Sequence, residues 1–126
     1  IDRACDLIAR APKDFALYTG DDMTAVATIS LGFHGDISVT ANVAPRLMHE
    51  MCVAAASGNI TRAREIHFKL LGLHRDLFCE ANPIPVKWAV HKMGLSPNGI
   101  RLPLTTLSEA GQVRVLAAMR QAGILA

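Results

Sequence analysis

The chain has 126 residues, 51% hydrophobic and 19% charged, which is the character of one ordinary soluble domain or a piece of a larger one and excludes a disordered chain. Its formal net charge of +2 comes from Lys and Arg scattered along the chain rather than clustered, so no nucleic-acid footprint is expected. No apolar stretch reaches the roughly 18 residues that suggest a membrane span, and Ile1-Asp2-Arg3 does not begin a signal peptide, so no membrane association is expected and the cytoplasm is the expected compartment.

In chain order, Ile1, Cys5, Leu7 and Ile8 are spaced for one apolar helical face, and Pro12 ends that segment. "FALYTG" reads as a short buried strand, with Gly20 allowing a turn that a Cβ would hinder. Asp21 or Asp22 is then placed to cap a helix through "MTAVATISLG", because a carboxylate satisfies free backbone N–H groups and suits the positive end of the helix dipole. Gly32 and Gly35 punctuate, and "DISVT" reads as a second strand. A helical return of about a dozen residues between two strands predicts that they run parallel, as in a βαβ unit.

From Pro45 onward the pattern is helix upon helix. Pro45 suits a first helical turn and Gly58 a C-terminal cap around "RLMHEMCVAAAS". Ile60, Ala63, His67, Leu70, His74 and Leu77 form a stripe at helical spacing, which reads as core. In "NPIPVKWAVHKMG", Pro83 and Pro85 push Asn82 and Ile84 toward extended geometry before a helix that runs to Gly94, and Trp88 is expected in the core. In "TLSEAGQVRVLAAMRQAG", Thr106 and Glu109 have the spacing of a capping box.

Few residues here announce chemistry. Cys5, Cys52 and Cys79 are odd in number, far apart and outside any CxxC, so reduced thiols in partly apolar sites are expected, with no disulfide framework. His49 and Cys52 are three apart on a helix, but two ligands without a third do not make a zinc site. Arg62, Arg64, Lys69 and Arg75 read as a solvated helix surface. Gly-Asp-Asp also occurs in template-dependent RNA polymerases, where it sits in a hairpin with a distant acidic partner, a context absent from this sequence. Two parallel strands alone would leave unpaired edges, so further strands are expected from an upstream segment or another subunit, and the Met-less start in "IDRACDLIAR" favours the first.

"YTGDD", "GFHGDISVTANVAPR", "NPIPVKWA" and "RLPLTTLSEAGQ" resemble, in this order and spacing, the C-terminal part of the dihydrodipicolinate synthase branch of the pyruvate-dependent class I aldolases, a family that also includes N-acetylneuraminate lyase. The resemblance implies an α/β fold in which this chain is the C-terminal portion of a TIM (β/α)8 barrel, strands seven and eight, followed by a helical C-terminal domain. It places the last part of the barrel at 1–57 and the helical domain at 58–126. The ends of the strands, where Gly-Asp-Asp and Ser-Val-Thr-Ala-Asn fall, are where active sites of such barrels collect.

The activity the resemblance implies is condensation of pyruvate with aspartate semialdehyde in lysine biosynthesis, through a lysine Schiff base and a tyrosine proton relay. It implies no cofactor and no metal, and tetramers are usual in the family. Lys13, Lys69, Lys87 and Lys92 do not match the Schiff-base position and Tyr18 is not equated with the relay, so both belong to an N-terminal barrel half required for activity, and this chain is expected to be inactive alone. What does match is the supporting wall. Ile37 corresponds to the strand-eight residue whose backbone touches pyruvate and the reactive lysine, Gly20 to the strand-seven glycine lining the same pocket, and Asp21 and Asp22 lie beside the approach of the semialdehyde. Asp36 departs from the apolar residue the pattern has between Gly35 and Ile37.

Without the resemblance, Gly20 is a turn glycine, Asp21 and Asp22 are a helix cap, and Ile37 is a core strand residue. Two functional classes stay open from the residues: the C-terminal part of such an aldolase, with N-acetylneuraminate lyase chemistry as the alternative within the family, or a non-catalytic truncated barrel acting as an assembly module.

Overall fold

The computed structural model describes residues 1–125. The first helix, α1 (Asp2–Arg10), stops just before Pro12, which cannot continue it, and an i,i+4 ion pair between Asp6 and Arg10 at 3.3 Å lies on its surface. Cys5 is exposed rather than set in an apolar site, while Cys52 and Cys79 are half-buried, and all three are free thiols. β1 (Tyr18–Thr19), α2 (Ala25–Leu31) and β2 (Gly35–Asp36) then form the expected parallel βαβ arrangement, with Tyr18 opposite Gly35 and Thr19 opposite Asp36.

The strands are shorter and less buried than their apolar sequences predict. Only two residues of each pair, and Phe15 and Tyr18 are 58% and 54% exposed. Each strand has one ladder partner among the described residues, so apolar side chains that would be covered in a wider sheet face outward. "DISVT" leaves the ladder after Asp36 and winds into a 3-10 turn at Thr40–Asn42.

Four helices follow, α3 (Pro45–Ala56), α4 (Ile60–Asp76), α5 (Ile84–Lys92) and α6 (Glu109–Gln121), with an irregular stretch between the last two. Pro45 occupies the first turn of α3, where its missing N–H costs nothing, and Gly58 takes a φ of +80° just beyond the helix, a conformation that L side chains avoid. Asn59 caps α4 by accepting from the Arg62 N–H at 3.2 Å. Pro85 stands within the first turn of α5 instead of delaying it, because the first N–H groups of a helix have no intrahelical partner to lose. The cap of α6 is Ser108, whose Oγ accepts from the Gly111 N–H at 3.1 Å, and not the Thr106–Glu109 box that the spacing suggests. The helix starts at Glu109, so Glu109 stands at the first helical position, two before the place from which a box on Ser108 is closed.

The larger apolar cluster joins the helices, and a smaller one packs α1 and α2 against the facing ends of α3 and α4. Met48 and Met51 of α3, Ile66, Leu70 and Leu73 of α4, Trp88 and Ala89 of α5, and Val115 and Met119 of α6 are all buried together with Ala25 and Val43 from the strand region. Of the stripe predicted on α4, Ala63, Leu70, His74 and Leu77 are buried and His67 is half-buried, whereas Ile60 at the start of the helix is exposed. Helices α4 and α6 approach closely at Gly72, where a Cβ would meet Gln121 Oε1 at 2.8 Å and Ala118 Cα at 3.4 Å. Asp76, 3% exposed, locks the same pair of helices by accepting from Arg75 and Arg114, each at 2.7 Å. The Arg75 guanidinium, ahead of the opposing effect of burial, keeps the Asp76 carboxyl below the usual carboxylate range.

Candidate functional site

The two strands end side by side. The Ile37 N–H donates to the Thr19 carbonyl at 2.8 Å, so Gly20 and Ile37 follow the paired Thr19 and Asp36 at the same end of the ladder. Ile37 is 71% exposed, which makes it a rim residue and corrects its reading as a core strand residue. Gly20 has no positive φ, and a Cβ built there meets nothing within 4 Å, so neither turn geometry nor crowding by the described residues requires glycine at this position. It lines a shallow cavity of about 640 Å³ with Tyr18, Thr19, Asp21 and residues of α1, which Ile37 does not join.

The adjacent aspartates part company. Asp21 is exposed and closes a turn ahead of α2, its Oδ1 accepting from the Met23 N–H at 3.3 Å and its Oδ2 from the Thr24 hydroxyl at 2.7 Å. Neither aspartate caps the helix: Thr24 holds that position, with no side-chain cap bond. Asp22 turns inward, 1% exposed, and its Oδ2 accepts from the Thr40 N–H at 2.8 Å. It therefore ties the end of β1 to the turn that follows β2.

Thr40, His74 and Asp36, none of which the sequence places at a site, complete this seam. Thr40 is fully buried, and its hydroxyl lies 2.9 Å from His74 Nδ1 on α4. His74 stacks on His67 with ring centroids 5.1 Å apart, and burial first, with His67 adding to it and Asp22 opposing, lowers its pKa to about 4, so it is neutral. Asp36 has both carboxyl oxygens buried without a hydrogen-bond partner, and burial followed by the neighbouring Asp22 raises its pKa to about 7. Burial acts to raise the Asp22 carboxyl, but the surrounding polar groups, among them the bound Thr40 N–H, outweigh it and hold it below the usual carboxylate range.

Asp36 also lines a cavity of about 290 Å³ with Tyr18, Ser38, His49 and Cys52. Burial, then the charges of Asp36 and Asp22, push the Cys52 thiol up, so it is not a poised nucleophile. No group of three His, Cys, Asp or Glu side chains among the described residues could hold a metal ion. No helix among them is long and apolar enough to cross a membrane. A wider groove of about 700 Å³, between Val39 and Asn42 of the turn region and Lys87 and Val90 of α5, includes none of Gly20, Asp21, Asp22 and Ile37.

What this geometry supplies is a backbone edge at the ends of β1 and β2 with buried carboxyl oxygens beneath it and no activated nucleophile beside them. In the sequence, Asp36 is marked only as the polar residue that departs from the pattern of the resemblance between Gly35 and Ile37. Nothing local in the sequence marked Thr40 or His74, which meet across 34 residues.

Comparison with known proteins matches residues 1–122 to the model of the dihydrodipicolinate synthetase family. A 4-hydroxy-tetrahydrodipicolinate synthase of Dechloromonas aromatica is 90% identical over 126 residues, all of this chain and 43% of the relative. The corresponding protein of Aromatoleum aromaticum is 75% identical over 124 residues, 98% of this chain and 42% of the relative. Among solved structures, the chloride-inhibited dihydrodipicolinate synthase of Acinetobacter baumannii complexed with pyruvate superimposes with a TM-score of 0.95 at 46% identity, covering 99% of this chain and 43% of that one. The chain thus spans less than half the length of the relatives it matches.

Proposed function

This chain belongs to the dihydrodipicolinate synthetase family, and from that premise we propose that it is the C-terminal part of a lyase that condenses pyruvate with aspartate semialdehyde in lysine and diaminopimelate biosynthesis. The observation that carries the reading is the 90% identity, over the whole chain, to a 4-hydroxy-tetrahydrodipicolinate synthase. Residues 1–57 are assigned to the last part of a (β/α)8 barrel, with β1 and β2 as strands seven and eight, and 58–126 to a helical domain packed against it. The parallel pairing of β1 and β2 supports the assignment, since consecutive barrel strands are parallel.

In this reading the reactive lysine and the tyrosine relay lie outside residues 1–126, and the chain alone is inactive. Its own contribution is positional. The backbone at Ile37 presents a fixed edge to pyruvate, and Gly20 leaves the space beside it open. Asp21 flanks the approach of the semialdehyde, and Asp22 holds the rim in place from below through Thr40. Holding reactants in one geometry is worth several powers of ten in rate even where the holding groups do no chemistry themselves. The complete protein is placed in the cytoplasm as a homo-oligomer, a tetramer as is usual in the family, without cofactor or metal.

The test is turnover by the full-length protein. Consumption of pyruvate that depends on aspartate semialdehyde supports the assignment. Cleavage of N-acetylneuraminate instead would move it to the other branch, and activity with neither substrate would leave an assembly module.

A further inference from the structure

The geometry points to His74 as a positioning residue for the reaction: through Thr40, this histidine of α4 holds the ends of β1 and β2, and with them the backbone edge at Ile37, in the alignment that pyruvate requires. Pyruvate as the substrate comes from the proposed lyase reading, whereas the linkage from α4 to the strand ends lies within this chain alone.

Every polar group of Thr40 is engaged, each with a different element. Its N–H donates to Asp22 Oδ2 at 2.8 Å, just beyond β1. Its carbonyl accepts from the N–H groups of Val43 and Ala44 at 3.0 and 2.9 Å, at the entry to α3. Its hydroxyl meets His74 Nδ1 on α4 at 2.9 Å. The first two contacts use the Thr40 backbone and survive a change of its side chain; the third is the one that fastens this junction to α4. Thr40, Asp22 and His74 are 0%, 1% and 3% exposed, so the described residues already enclose all three and no group from outside them is needed to complete the linkage.

Only Ser38 and Val39 separate Thr40 from Ile37, and the short segment is tied at both ends. The Ile37 N–H donates to the Thr19 carbonyl at 2.8 Å, and the Ala41 N–H donates to Ser38 Oγ at 2.9 Å. A displacement of Thr40 therefore reaches Ile37 on one side and, through Asp22, the Gly20-Asp21 end of β1 on the other. The helix is the fixed member of the contact, since Leu70 and Leu73 of α4 and Leu77 at its end are fully buried around His74. His74 is the one polar side chain among them, and its Nε2 has no hydrogen-bond partner among the described residues. A buried imidazole with one nitrogen unpaired is a costly occupant of an apolar stripe, and the bond it does make is to the turn behind the rim. A misplacement of bound reactants by about 1 Å, caused far from the chemistry, is enough to lower a rate by up to about a hundredfold.

The experiment compares the full-length parent with Thr40→Val, Thr40→Ser, His74→Phe and the variant carrying both Thr40→Val and His74→Phe, at a temperature where unfolding curves show each to be folded. Steady-state kinetics with pyruvate and aspartate semialdehyde are read beside amide hydrogen exchange by mass spectrometry. Thr40→Val and His74→Phe are each expected to lower kcat/KM for pyruvate by about tenfold, the variant carrying both to lower it no further, and Thr40→Ser, which keeps the hydroxyl, to recover most of the parent value. In the two single variants exchange at residues 37–41 quickens, while α4 and α6 exchange as in the parent. Equal kcat/KM in the parent and both single variants, or faster exchange in α4 and α6 with residues 37–41 no more affected, overturns the proposal and leaves the contact a purely structural one. A parent that turns over no pyruvate overturns the lyase reading instead, and exchange at residues 37–41 then decides by itself whether His74 holds the rim. If His74→Phe does not fold, Thr40→Val against Thr40→Ser decides the matter.

Discussion

The Thr40 hydroxyl and His74 Nδ1 stand 2.9 Å apart in a fully buried contact that fastens the turn after β2 to α4. Thr40 also gives its N–H to Asp22, so one residue secures the strand ends to each other and to the helical core. Thr40→Val keeps the shape but removes the hydroxyl, leaving His74 with neither ring nitrogen paired, since Nε2 already has no partner. A loss of about 1–3 kcal/mol in urea unfolding is expected, with Thr40→Ser largely preserving stability. Equal stability of the Val variant would mean that the contact is not made in solution.

His74 and Asp36 give opposite signs of pH dependence. With its pKa lowered to about 4 by burial, His74 stays neutral in the folded protein while the unfolded chain takes up a proton below about 6.5; its contribution is present above pH 6.5 and lost as pH falls toward 4. Asp36 is raised to about 7, so the folded protein keeps a proton that the unfolded chain releases above about 3.8; this contribution falls as pH rises from about 4 to 7. Between pH 4 and 6.5 the two offset each other. Urea unfolding across that window should therefore show stability rising more steeply with pH in Asp36→Asn than in the parent, and falling with pH in His74→Gln. Parallel curves for all three proteins would contradict both assignments.

Ile37 tests the rim. Its side chain is 71% exposed and its backbone fixed by the bond to Thr19, so replacing it with Trp should leave the unfolding transition within about 0.5 kcal/mol. In the complete enzyme the same change should lower kcat/KM for pyruvate by about tenfold or more, through misplacement of the bound substrate. Normal kinetics would remove Ile37 from the site.

Gly72 tests the packing of the helical part. A Cβ there already meets Ala118 Cα at 3.4 Å, and the branched side chain of Val would force α4 and α6 apart. Gly72→Val is expected to cost about 1–3 kcal/mol in thermal or urea unfolding. Gly94→Ala is a contrasting control, strained by its φ of +76° rather than by contact, because nothing lies within 4 Å of its Cβ.

Hydrophobic periodicity made the helices legible, because it follows from which face must be buried, and the length of the helical return between β1 and β2 made their parallel order legible. The stripe from Ala63 to Leu77 shows this, as does the end of α1 before Pro12. The helix starts were harder to read. Ser108 rather than Thr106 caps α6, and Thr24 rather than an aspartate begins α2, because several polar residues compete at each start and the surrounding fold chooses among them. At the site, Gly20 and Ile37 were placed by resemblance alone, and no residue property distinguished them. Asp22 looked like a cap because its neighbours in sequence are a helix start; its true partner is Thr40, 18 residues on. Asp36 stood out only against the pattern of the resemblance, as a charge where that pattern has an apolar residue.

The most direct test of the central claim is peptide mapping of the full-length protein after incubation with pyruvate and borohydride, which fixes a Schiff base permanently. The account predicts a single reduced pyruvate adduct on a lysine outside residues 1–126, with Lys13, Lys69, Lys87 and Lys92 unmodified. An adduct on any of those four, or none anywhere, would contradict the assignment of this chain as the non-nucleophilic wall of a pyruvate lyase.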